Sequence, residues 1–152
     1  MLIKTHLAIT ILGILLILPN LSSKLVFVIV ALLATYIPDI DSRYSSLGQR
    51  RFARILQFFS KHRGIIHSFS FLLFLTLLLV LFFPKIALGF FLGYGLHLFA
   101  DSFTIEGIVP FYPIKAVSRG RIATGGVIEK GVFISFVLID SALFLNYLLN
   151  IV

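Results

Sequence analysis

Apolar residues run along this chain in five blocks, parted by polar or mixed segments of unequal length. The blocks are about Leu2 to Leu18, Lys24 to Ile37, Ile65 to Phe83, Pro84 to Phe103 and Val127 to Leu149. Runs of about 17–25 apolar residues match a hydrocarbon core about 30 Å thick, so the pattern predicts five transmembrane helices. The second block is short; it ends at Pro38 and either begins near Leu21 or lies partly within the protein. The turn between the third and fourth blocks is tight, and Pro84 suits a first helical position.

One segment differs in kind. From Leu47 to Ser60, Arg50, Arg51 and Arg54 are interleaved with Phe52, Ile55, Leu56 and Phe59. The apolar positions follow the i, i+3, i+4, i+7 rule, which predicts a basic amphipathic helix lying in the inner headgroup layer or packed on the protein's own base. Residues 104–126 read as a loop rich in Gly and Pro. It is long for a connection without structure of its own, which suits a re-entrant or site-covering role. The expected fold is therefore all-α: a polytopic membrane bundle of about five spans plus one interfacial amphipathic helix, forming a single domain over residues 1–152.

Composition agrees. Of 152 residues, 59% are hydrophobic and only 12% charged, and mean hydropathy is +1.09. So apolar a chain is not a water-soluble globule. Cysteine is absent, which excludes disulfides and thiolate metal sites and leaves imidazole and carboxylate as the available ligands. The start of the chain resembles a signal peptide, but Pro19-Asn20-Leu21-Ser22-Ser23-Lys24 lacks a small-x-small cleavage site, so it reads as a retained first span.

The net charge of +7 points to sidedness rather than to nucleic acid. With the N-terminus in the cytoplasm, Lys4, Arg43, Arg50, Arg51, Arg54, Lys61, Arg63, Lys115, Arg119, Arg121 and Lys130 fall on the inner side. Only Lys24 and Lys85 fall outside, so eleven of the 13 cations obey the positive-inside rule. The C-terminus is then external, and the expected location is the cell (inner) membrane, multi-pass.

This orientation gathers the chain's ionisable residues. His6 starts the first span, Asp39 and Asp41 end the second, and His62 and His67 flank the start of the third. His97 and Asp101 sit in the last turns of the fourth, and Glu129 begins the fifth. Span direction alternates, yet all fall at the inner end. His97 and Asp101, four apart, share one helix face. An extended Asp39-Ile40-Asp41 would point both carboxylates one way, and Gly64 lets His62 come from a loop while His67 comes from a first helical turn. Ionisable groups at membrane depth are costly and usually functional, and His with Asp from four helices is the donor set of a metal site. His6, Asp39, His62, His67, His97 and Asp101 are the candidate ligands for one or two divalent ions, zinc first, with manganese or iron as alternatives. Asp41 or Glu129 could act as general base or orient a ligand, and Arg63 could hold a phosphate.

The motifs Pro38-Asp39-Ile40-Asp41, Ser46-Leu47-Gly48-Gln49-Arg50, His62-Arg63-Gly64-Ile65-Ile66-His67-Ser68 and Gly93-Tyr94-Gly95-Leu96-His97-Leu98-Phe99-Ala100-Asp101 resemble those of the YdjM-like family. That family is also described as LexA-binding, inner-membrane-associated metal-dependent hydrolases. The resemblance continues through Thr104, Gly107, Pro110 and Pro113 to Gly125 and Glu129, with His6 matching an early histidine, and so covers nearly the whole chain. Two positions depart: Ser42 stands where the family often has His, and Ile66 where it often has Thr. A looser similarity links the pattern to zinc-dependent phospholipase C enzymes, with their early His, an Asp and a His-x3-Asp pair.

The resemblance implies a membrane-embedded metal-dependent hydrolase. Location at the inner headgroup level suggests a phosphoester substrate, a phospholipid or other lipid-linked molecule, with membrane lipids as partners and no nucleic acid. A LexA partner is implied by the family description alone. The rival expectation is a non-catalytic transporter or interaction protein using the same cluster for metal or protons. Oligomeric state is not legible in the sequence.

Overall fold

The computed structural model describes residues 1–41 and 65–149, and of Ile40 and Asp41 the backbone only. The basic segment expected at 47–60, together with His62 and Arg63, lies outside the described residues. The described residues are all-helical, with no strand beyond two isolated bridges. The helices are α1 (Ile3–Ile17), α2 (Lys24–Ala34), α3 (Phe69–Phe82), α4 (Pro84–Ser102) and α5 (Val127–Leu149).

Each helix ends where its local chemistry requires. Ser23 opens α2, and at its far end Tyr36 and Ile37 donate to carbonyls three residues back, tightening the last turn. Pro38 has no N–H to continue the ladder and disfavours helix at the residue before it, so α2 stops at Ala34, short of the expected Ile37. Residues Pro38–Asp41 then form a 3-10 turn, not the extended strand considered from sequence. Proline's fixed φ suits that turn's first position. The third helix starts at Phe69, not at Ile65, because Ser68 caps it: its Oγ accepts from Phe71 N at 3.2 Å. Pro84 opens α4 directly after Phe83, giving the expected tight helical hairpin.

The central helix is α4, which touches α1, α2 and α3, while α5 packs chiefly on α1. Glycines decide the closest of these contacts. A Cβ on Gly93 would lie 2.0 Å from Ala31 O, and one on Gly89 would lie 2.9 Å from Phe27 O. This Gly-x3-Gly ridge lets the backbones of α2 and α4 meet, a device common where lipid removes the hydrophobic drive between helices. Two apolar clusters fill the remaining space: Ala34, Leu72, Phe90, Tyr94, Leu98 and Ile108, and Ile14, Phe27 and Ala31.

Burial is inverted relative to a water-soluble protein. The buried residues of α5 are Glu129 and Asp140, whereas Val127, Leu138 and Leu149 on the same helix are at least 66% exposed. Such a surface is stable in hydrocarbon, not in water. Two helical stretches, Ile3–Asn20 and Val127–Leu149, are long and apolar enough to cross a membrane. The α4 helix is long enough, but its glycines, His97 and Asp101 lower its hydropathy. At about 1.5 Å per residue, α2 and α3, with 11 and 14 residues, fall short of an about 30 Å core.

Candidate metal centre

The ends of α1, α2, α3, α4 and α5 that carry ionisable residues meet at one end of the bundle. His97 is held first. The close α2–α4 contact brings the Thr35 carbonyl to 2.8 Å from His97 Nδ1. A carbonyl can only accept, so Nδ1 carries the proton and Nε2 presents its lone pair. Thr35 is itself fixed: its hydroxyl donates to Ala31 O at 2.9 Å and lies 2.9 Å from the Thr10 hydroxyl on α1.

The Nε2 atoms of His67 and His97 each lie within 4.0 Å of both Asp39 Oδ1 and Asp101 Oδ2. His97 Nε2 is 3.7 Å from Asp39 Oδ1 and 3.8 Å from Asp101 Oδ2. His67 Nε2 is 4.0 Å from Asp39 Oδ1 and 3.8 Å from Asp101 Oδ2. Bonds of about 2.0–2.2 Å to a tetrahedral ion put neighbouring ligand atoms about 3.3–3.6 Å apart. These four His–Asp separations are slightly longer than that, and Asp39, His67 and His97 form one group of donor atoms with metal-compatible spacing. His97 Nε2 is buried and makes no hydrogen bond among the described residues, as an atom placed to bind a cation would. The donor set therefore fits a divalent metal.

His6 lies just outside this cage. Its ring stacks on His97 with centroids 3.8 Å apart and planes 5° from parallel, and its Nε2 is 3.3 Å from Asp101 Oδ1. The Met1 amine meets the same carboxylate oxygen. Asp101 thus turns one oxygen to the cage and the other to α1. His6, His97 and Asp101 form a second group of donor atoms with metal-compatible spacing. His97 has only Nε2 to give, because Nδ1 is committed to Thr35, so one ion shared with His67 and Asp39 uses the set most fully.

Access is one-sided. The side chains of His6, His67, His97 and Asp101 are at most 2% exposed, whereas Asp39 is 20% exposed. Asp39 therefore marks the open mouth. Burial pushes its carboxyl above the ordinary range, against the opposing pull of His6 and His67.

Glu129 does not join the cage. Its Oε1 accepts from Leu2 N at 2.6 Å and from the Thr5 hydroxyl at 2.8 Å, and its Oε2 accepts from Gly125 N at 2.5 Å. It ties the start of α1, the end of the 103–126 loop and the start of α5 together. His67 sits in the turn before Ser68, not in a first helical turn. Thr35, Thr10 and Gly89 were not singled out from sequence, and Gly93 entered only as part of a motif shared with the family. The Gly-x3-Gly spacing was a visible signal for the close contact, while the Thr35 carbonyl, a backbone atom, has no sequence signature.

These features define an all-helical membrane protein with a buried His/Asp group of metal-ligand spacing. The chain belongs to the family described as YdjM inner membrane protein, whose model matches residues 1–151. No curated protein and no solved structure matches it.

Proposed function

We propose that this protein is a metal-dependent hydrolase of the inner membrane that cleaves a phosphoester, of a phospholipid or another lipid-linked molecule, at the cytoplasmic face. The observation that carries the reading is the four-atom cage of His67, His97, Asp39 and Asp101, buried except at Asp39. The five helices are read as spans with the cage at the cytoplasmic edge, the N-terminus inside and the C-terminus outside. The Lys/Arg bias supports that orientation, and the alternating helix directions agree with it.

A divalent ion, zinc first among candidates, would lower the pKa of a bound water from about 15.7 towards about 7 and so supply hydroxide at neutral pH. The chain's own residues do the rest. Thr35 fixes the His97 tautomer. Asp101 holds one oxygen towards the cage and one towards His6, which places His6 to share or pass a proton. The packed faces of α1, α2 and α4 exclude water from all sides but that of Asp39. A headgroup phosphate entering beside Asp39 meets the cage at the level of the lipid headgroups.

The test begins with metal content. Protein purified in detergent, measured by elemental analysis, is expected to hold a divalent ion that His97→Ala removes. Lipid extracts incubated with the metal-loaded protein are then screened for released headgroup or phosphate. Equal, near-zero metal in wild type and variant overturns the reading; bound metal with no released product, but with vesicle uptake of the ion, favours transport instead.

A further inference from the structure

The loop of residues 103–126 leaves α4 just after Asp101 and enters α5 just before Glu129. It is built, not slack. Ile108 and Ser118 exchange both backbone hydrogen bonds, at 3.0 and 2.9 Å. Closer to the helices, Gly120 N donates to Thr104 O and Ile122 N to Phe103 O, at 2.9 and 3.1 Å. The two legs approach so closely that a Cβ on Gly107, at φ +66°, would lie 2.1 Å from Ser118 O, and one on Gly120 would lie 2.1 Å from Phe103 O. Phe69 N donates to Pro110 O at 2.8 Å, tying the loop to the first turn of α3 beside His67.

What this frame displays is apolar. Beyond the Ile108–Ser118 pair, the tip turns at Phe111–Ile114, where Ile114 N donates to Phe111 O at 2.8 Å. Phe111, Ile114 and Val117 are 57%, 65% and 47% exposed, and Tyr112 stands beside them, also exposed. A rigid scaffold holding aliphatic and aromatic side chains outward is unfavourable in water and needs an apolar neighbour. The charge around the tip says which one. Lys115 is exposed at the tip, and Arg119 and Arg121 are exposed on the returning leg nearer the helices, while Glu106 is the one acid between residues 103 and 126. Exposed aromatic and aliphatic side chains with a Lys beside them and two Arg on the adjoining leg fit the boundary of an anionic lipid leaflet, where rings sit at headgroup depth and cations meet phosphates.

We infer that the tip of this loop, residues 110–117, inserts into the headgroup layer of an anionic leaflet and is held there by Lys115, Arg119 and Arg121. The loop is rigidly joined to both Asp101 and Glu129, so it sets the depth of the candidate metal centre relative to the lipid phosphates. The inference rests on the reading of the helices as membrane spans, but not on the reading of the site as hydrolytic.

The chain contains no tryptophan, so a single introduced one reports alone. Ile114→Trp and, as reference, Leu138→Trp on α5 are reconstituted in nanodiscs of mixed phosphatidylglycerol and phosphatidylcholine. In some preparations the lipid is brominated near the headgroup, in others near the chain ends. The Ile114→Trp emission is expected to be blue-shifted and to lose intensity most with shallow bromines. Leu138→Trp is expected to lose most with deep ones. Adding Lys115→Gln, Arg119→Gln and Arg121→Gln to Ile114→Trp is expected to weaken the shallow quenching. A solvent-like, unquenched Ile114→Trp beside a quenched Leu138→Trp overturns the inference alone. Absence of quenching in both overturns the membrane-span reading with it. A blue-shifted but unquenched Ile114→Trp overturns the lipid contact in favour of a protein partner.

Discussion

His97 Nδ1 lies 2.8 Å from the backbone carbonyl of Thr35, and this bond leaves Nε2 as the ring's one free donor atom, facing Asp39 and Asp101. Partners of this kind are worth about 10–100-fold in metal affinity, and loss of the ligand itself costs at least as much. His97→Ala and Asp101→Asn are each expected to lower bound metal by more than about tenfold while the helical circular dichroism is retained. Elemental analysis of protein purified in parallel checks it. Metal content unchanged in both variants would show that the cage is not the binding site.

That bond depends on how closely α2 and α4 approach. Gly93→Ala places a methyl group where Ala31 O stands, 2.0 Å from the new carbon, and backbone cannot swing aside as a flexible side chain can. Overpacking of this kind costs about 1–3 kcal/mol, and the displaced α2 carries Thr35 and Asp39 with it. Gly93→Ala should therefore lose both thermal stability and metal. Gly131→Ala is the control: a Cβ there meets nothing within 4 Å, so helix propensity alone acts and adds up to about 1 kcal/mol. Melting curves and metal content of the pair, measured in one detergent, give the comparison.

Glu129 separates positioning from catalysis. Its three accepted hydrogen bonds come from Leu2 N, the Thr5 hydroxyl and Gly125 N. Glu129→Ala strands these donors at about 1–3 kcal/mol for each one buried and is expected to destabilise the protein clearly. Glu129→Gln keeps the volume but turns an NH2 towards a donor, so an intermediate loss of stability is expected, with metal retained. A Glu129→Gln protein that melts like wild type yet has lost all turnover would instead mark Glu129 as the general base.

The helices were legible in the sequence because they are apolar runs, with stop signals at Pro38 and at the Phe83-Pro84 turn; the Ser68 cap, which moves the start of α3 from Ile65 to Phe69, was not read. The meeting of His6, Asp39, His67, His97 and Asp101 at one end of the bundle was legible too, since helices that alternate in direction bring every second helix end to one side. Less legible was what depends on backbone atoms. The 3-10 turn at Pro38–Asp41 replaces an extended segment because proline's φ serves both conformations and side-chain pattern cannot choose between them. The partner of His97 Nδ1 is a carbonyl every residue possesses. The paired legs of the 103–126 loop rest on Gly107 and Gly120, which read from sequence only as loop residues.

Topology is open to a direct check. On the proposed five-span arrangement eleven of the 13 Lys and Arg fall on one side, which the positive-inside rule would retain in the cytoplasm. A reporter fused after Val152 is expected to give the external signal, and one fused within the 103–126 loop the cytoplasmic signal. Both reporters on the same side would remove α5 from the set of spans.

Asp140 gives the last prediction, because nothing in the cage explains it. It sits near the middle of α5, 8% exposed, and its Oδ1 is buried with no hydrogen-bond partner among the described residues. A carboxyl group left so in hydrocarbon is unfavourable whether it is charged or neutral. Asp140→Leu has nearly the same shape and removes the unpaired Oδ1, which is worth about 1–3 kcal/mol. For a chain of this size that is a rise of about 2–4 °C in Tm for each kcal/mol, with metal content unchanged because Asp140 lies three turns from Glu129 and the cage. Differential scanning in detergent reads the first, and elemental analysis reads the second. A fall in Tm, or loss of a co-purifying membrane partner on the substitution, would mean that Asp140 is paired in the membrane with a polar group on another chain, and α5 would then be an interaction helix as well as a span.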